Sequence, residues 1–161
     1  MSLLSTISKP ADRSVICTIT GDAGTGKTTL GATFPKPIFI RIEDGLQAVP
    51  EANRPDAFPV ISKVDQLWEQ LTALITEPHD YKTVVIDSIT QLETLFSEYV
   101  ISNDPKQPKS LAQANGGYGA GYLAVSALHG RVRKAAKALN EKRNLHVAFI
   151  AHSDVSTIEF P

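Results

Sequence analysis

The amino-acid sequence predicts an α/β fold: a parallel sheet of about five strands sandwiched by helices. Three observations carry this. Short runs rich in β-branched residues alternate with stretches of helical spacing, the pattern of successive βαβ units. Several runs, such as TVVID and LHVAFIA, are apolar almost without a break, as strands covered on both faces are. The length of 161 residues, with 42% hydrophobic and 20% charged, fits one globular domain with a substantial core.

Ser14–Thr20 reads as the first strand, ended by Gly21. A helix is predicted over Thr28–Thr33, where Pro35 and Pro37 stop it. Pro37–Ile42 (PIFIRI) reads as the second strand and Ala57–Ile61 as a short third. Ser62 is expected to cap the next helix, with Asp65 three residues on as in a capping box. Its apolar face is Val64, Leu67, Trp68, Leu71, Leu74 and Ile75. Thr83–Asp87 is the fourth strand. Helical spacing resumes over Ser88–Ser102, with Ile89, Leu92, Leu95, Phe96 and Tyr99 along one side. Residues 103–121, rich in Pro, Asn and Gly, are expected to form a flexible loop. A helix is predicted over Tyr122–Lys142, with Val125, Leu128, Val132, Ala135 and Leu139 inward, followed by a fifth strand at Leu145–Ala151. Residues 1–13 read as an N-terminal extension of this single domain.

Composition excludes several classes. The single cysteine, Cys17, permits neither an intramolecular disulfide framework nor a Cys-rich zinc site. No run approaches the ~18 apolar residues of a membrane span, so no membrane partner is expected. The N-terminus lacks the pattern of a signal peptide, so the expected compartment is the cytoplasm. With 16 Lys and Arg against 17 Asp and Glu, the net charge of −1 excludes a uniformly basic surface. The charge is uneven, however: residues 131–143 hold six basic residues and one acid. Trp68, Cys17 and His146 read as packing residues.

The chemistry is concentrated at one motif. Gly21-Asp22-Ala23-Gly24-Thr25-Gly26-Lys27-Thr28 fits G-x-x-x-x-G-K-[ST] in full, after a predicted strand and at the start of a predicted helix. Glycines let the backbone curl so that successive N–H groups face phosphate oxygens, and the helix N-terminus adds its positive dipole end. The segment from Gly21 to Thr29 is therefore the candidate nucleotide cradle. Lys27 is placed to reach the β- and γ-phosphates, and the Thr28 hydroxyl to ligate Mg²⁺. Asp87 ends the strand TVVID, at the carboxyl edge where open α/β sheets bind ligands, and is the second candidate metal ligand. Glu43 follows PIFIRI at the same edge and is the candidate base for activating water. Adjacent Asp44 is the alternative, and both also suit a solvated turn. His152 follows LHVAFIA. If that strand lies beside the first, His152 faces the γ-phosphate as a polar sensor.

These pieces, in this order, resemble the RecA-type branch of P-loop ATPases. FIRIEDGLQAVP resembles the stretch in which a strand leads into an acidic residue that activates water, which Glu43 matches. PVISKVDQLWEQLTALI resembles the next strand and helix. VVIDSITQL is similar to the family's Asp-Ser strand end, carried by Asp87 and Ser88. AFIAHSDV resembles the strand whose polar end couples the γ-phosphate to DNA-binding loops, although RecA itself has glutamine where His152 stands. More narrowly, the chain is similar to bacteriophage-encoded RecA-like ATPases of the single-strand annealing type. The resemblance runs from Ser14 to Val155. It implies ATP and Mg²⁺ as cofactors, single-stranded DNA as partner, a role in recombination or replication, and the host cytoplasm as location. It leaves a homo-oligomer open. Only SDVSTIEFP follows His152, so the chain is expected to be a short member or a piece of a longer one.

Two features bear on DNA. Arg133, Lys134 and Lys137 fall opposite the apolar face of the last helix, where a stripe of cations can follow a phosphate backbone or simply be solvated. Tyr118 and Tyr122, in or beside the glycine-rich segment NGGYGAGY, are candidates for stacking on unpaired bases. The alternatives are a non-hydrolysing nucleotide-gated binding module and a small-molecule kinase. A kinase usually needs an Arg-rich lid, and none is evident.

Overall fold

The computed structural model describes residues 3–8 and 12–153. Residues 154 and 155, the last of the RecA resemblance, lie outside them. Five strands form one sheet in the order β1-β5-β4-β2-β3, every described pairing parallel. They are β1 (Ile16–Gly21), β2 (Pro37–Arg41), β3 (Asp56–Ala57), β4 (Thr83–Asp87) and β5 (His146–His152). The helices are α1 (Lys27–Ala32), α2 (Val64–Thr76), α3 (Ile89–Ser102) and α4 (Ala120–Arg143).

Strand alternation divides the core in two. Ile38, Ile40, Val84, Ile86, Val147 and Phe149 face the layer built by α2, α3 and α4. Phe39, Val85, Ala148 and Ile150 face the opposite side, packed with Leu46, Val49 and residues of α1. The central strand β4 is buried at every position, which explains its unbroken apolar run. On the α1 face, Gly31 lets the helix lie against the sheet. A Cβ there would come within 3.2 Å of both Phe39 and Val85, each fully buried. Gly31→Val is therefore expected to cost about 1–3 kcal/mol through overpacking. That lowers the melting temperature by roughly 2–4 °C for each kcal/mol, as a thermal scan by circular dichroism would read.

The differences from expectation have local causes. The third strand is only Asp56–Ala57: the Phe58 carbonyl accepts from Arg41 Nε at 3.0 Å, and the next backbone bond to β2 comes one residue out of register, from Ile61 N–H to the Arg41 carbonyl at 2.8 Å. The N-cap of α2 is Lys63 rather than Ser62. Gln66, not Asp65, closes the box: its Oε1 accepts the backbone N–H groups of Ser62 and Lys63 at 2.9 and 3.0 Å. Helix α4 begins two residues early, at Ala120, where Gly121 packs directly under the Leu111 carbonyl. The preceding segment turns about Asp104, whose carboxylate accepts backbone N–H groups from Lys106 and Asn115 at 2.9 and 2.6 Å. Those two bonds hold its pKa below the ordinary carboxylate value. Trp68 stacks on Phe96 and carries the Arg131 guanidinium 4.1 Å from its ring centre, so that arginine belongs to packing. Among the described residues, no helix is long and apolar enough to cross a membrane.

Candidate functional site

The parallel register brings the carboxyl ends of four strands to one edge. Gly21 of β1 stands opposite His152 of β5, and Arg41 of β2 opposite Asp87 of β4. The condition set for His152, that its strand lie beside the first, is met.

Beyond Gly21 the chain turns through residues 22–26 into α1. Gly24 and Gly26 have φ of 77° and 84°, left-handed values that strain any residue with a side chain. The loop is exposed, whereas Lys27 at its end is only 7% exposed. The Lys27 ammonium donates to the carbonyls of Gly21 and Asp22, each at 2.7 Å. One residue on, the Thr28 hydroxyl donates to Asp87 Oδ2 at 2.8 Å.

Asp87 is 2% exposed. Burial pushes its pKa above the ordinary carboxylate value and the nearby Glu43 charge adds to this, while the Thr28 bond and the charges of His152 and Lys27 oppose it. Gly45 borders the same place. A Cβ on it would lie 3.0 Å from Thr28 Oγ1 and 3.1 Å from Asp87 Oδ2, so a glycine keeps the space in front of this pair clear. The donor set fits Mg²⁺ carried in on a nucleotide. Such sites use one or two carboxylates together with substrate phosphates rather than an all-protein cage. Consistent with this, no group of three or more His, Cys, Asp or Glu among the described residues is placed to hold a metal by itself.

The two acids after β2 part company. Asp44 pairs with Arg41 at 2.9 Å and also accepts from Gln47 at 3.3 Å. Glu43 turns inward, and its Oε1 lies 2.7 Å from His152 Nε2. An ionised carboxylate only accepts, so the ring donates from Nε2. The structure thus brings together Lys27, Thr28, Asp87, Glu43 and His152, and turns Asp44 aside. Thr29 follows on the exposed side of α1.

The candidate DNA residues are more dispersed. Tyr118 is fully exposed on its loop. Tyr122 and Arg133 line one groove of about 790 Å³ between α3, α4 and the outer edge of β1, away from the phosphate loop. Lys134 and Lys137 are exposed on α4, and Lys137 lies 3.7 Å from Glu141.

Three residues that sequence reasoning passed over also belong here: Gly45, Thr90 and Ser153. The Thr90 hydroxyl accepts the His152 backbone N–H at 2.9 Å. Ser153 donates its N–H to the Gly21 carbonyl at 3.1 Å and its hydroxyl to Asp22 Oδ1 at 2.5 Å. Only Gly45 left a signal, as the glycine of the turn Glu43-Asp44-Gly45.

A family model described as an AAA domain matches residues 13–161. A search of curated proteins returns no match.

Proposed function

The chain belongs to the AAA-domain family of P-loop-type ATPases, and we propose that it hydrolyses Mg-ATP in concert with single-stranded DNA, in phage recombination or replication. The observation that carries hydrolysis is the Glu43–His152 pair set at the same sheet edge as the Thr28–Asp87 pair. A binding module has no need of a half-buried acid oriented beside its metal ligands.

In this reading the loop from Gly21 to Thr29 cradles the phosphates, and Lys27 leaves the loop carbonyls for the β- and γ-phosphate oxygens. Thr28 and Asp87 hold Mg²⁺, which when bound neutralises phosphate charge. Glu43 accepts a proton from a water as its oxygen bonds to the γ-phosphorus and the bond to the ADP oxygen breaks. His152 keeps that carboxylate oriented. The DNA part rests on the resemblance to phage-encoded RecA-like ATPases and on exposed Tyr118, Tyr122, Arg133, Lys134 and Lys137.

The test is phosphate release from Mg-ATP, with and without single-stranded DNA. The expected result is DNA-stimulated turnover that falls on the order of 10²–10³-fold in Lys27→Ala, which removes a preorganised cation from the developing charge. Nucleotide binding without turnover under either condition would replace the ATPase by a nucleotide-gated module.

A further inference from the structure

Strand β5 runs past its neighbour. Asp87 ends β4 opposite Ile150, two residues before the end of β5. In a parallel ladder alternate N–H groups point to opposite sides. The His146 N–H donates to Lys82 beside β4, and the Val147 N–H donates to Val15 beside β1. By the same alternation the His152 N–H faces the β4 side, where the strand has already ended. The Thr90 hydroxyl, in the first turn of α3, supplies the missing acceptor at 2.9 Å. On the other side of β5, Ser153 is bonded to Gly21 and Asp22. These are the two residues whose carbonyls hold the Lys27 ammonium.

We propose that Thr90 and Ser153 are positioning residues that fix the end of β5 from both sides, so that His152 holds Glu43 and that placement is tied to the phosphate loop. The proposal rests on the hydrolytic reading of Glu43. The link has a direction that follows from the bonds. The Gly21 carbonyl accepts from both Lys27 and Ser153. When phosphate oxygens draw the ammonium away, Ser153 becomes the remaining donor of the two, and its hold on the loop tightens. Phosphate occupancy is thereby felt at the residue next to His152. Neither Thr90 nor Ser153 touches the reacting atoms in this scheme.

The test uses Thr90→Val, which keeps the branched shape and removes the acceptor, with Thr90→Ser as the conservative control. Thr90 is exposed, so the melting temperature is expected to stay put. Misplacing Glu43 is expected to lower kcat about 10- to 100-fold with KM within about twofold, and Thr90→Ser is expected to restore it. In a Glu43→Gln background, Thr90→Val is expected to add nothing, because the group it positions has already lost its basicity. An undiminished kcat in Thr90→Val, or an equal further loss in the Glu43→Gln background, would overturn the proposal. A readout free of turnover separates this from the hydrolytic reading: the ¹⁵N resonances of the His152 ring. The wild type is expected to show the Nε2 resonance of a hydrogen-bonded donor, and Thr90→Val a shift of that resonance as the bond to Glu43 weakens. If the wild type does not hydrolyse ATP, the hydrolytic reading fails. Ring signals unchanged by Thr90→Val would then overturn the positioning role as well.

Discussion

Glu43→Gln is expected to lower phosphate release by about 10²–10⁴-fold, the range over which a positioned general base contributes, while nucleotide affinity changes little. The substitution is nearly isosteric. The amide oxygen still accepts from His152 Nε2, which lies 2.7 Å from the carboxylate it replaces, so what is lost is basicity rather than geometry. Glu43 is also one of the charges that raise the Asp87 pKa. Its neutralisation therefore makes Asp87 ionise more readily, and Mg-nucleotide binding has no reason to weaken. Single-turnover phosphate release and a nucleotide titration on the same variant check both halves. Equal loss of affinity and turnover would mean that Glu43 contacts the bound nucleotide or its metal. Little change in either would mean that it is no base. Asp44→Asn is the internal control, because that carboxylate is engaged by Arg41 and Gln47.

The sheet edge was legible because each of its members follows an apolar run. Gly21, Asp87 and His152 end strands whose periodicity is plain, and parallel pairing then brings the ends together. Glu43 was preferred to Asp44 on sequence, but the contacts that separate the two were not legible. Both are acids in one turn, and the deciding partners are Arg41 for one and a histidine 109 residues away for the other. Thr90 and Ser153 were hidden for the same reason. Their bonds at the sheet edge span 62 and 131 residues, and neither residue type is unusual where it stands. The cap of α2 shows the limit at short range. Asp65 and Gln66 both suit the start of a helix, and with Lys63 rather than Ser62 as the cap it is Gln66 that stands three residues on and reaches back to two backbone N–H groups. The third strand shows it again: β-propensity extended it to Ile61, and the Arg41 side chain took the Phe58 carbonyl, so that the ladder ended at Ala57.

Asp87→Asn is expected to do two opposite things. It should abolish most turnover, on the order of 10²–10³-fold, because a metal ligand contributes several kcal/mol to stabilising charge in phosphoryl transfer. It should also make the nucleotide-free fold more stable. The sign follows from the direction of the shift. The folded-state pKa of Asp87 lies above its ordinary value of 3.8, so the folded protein binds that proton more tightly than the unfolded chain does. The stability this contributes is complete below pH 3.8. It is lost as pH rises to and through the folded-state pKa, above which the buried carboxylate is ionised. Asparagine cannot ionise, and its Oδ1 still accepts the Thr28 hydroxyl. Melting at pH 7 is therefore expected to rise, by roughly 2–4 °C for each kcal/mol recovered, and the difference from wild type to vanish as the pH falls below 3.8. Mg-ATP should reverse the order, since a ligand stabilises the form that binds it and the wild type keeps both proposed metal ligands. A variant less stable than wild type without nucleotide would mean that the Thr28–Asp87 bond outweighs the burial of the charge. The site would then be held together by its own side chains, rather than poised at a cost that the metal relieves.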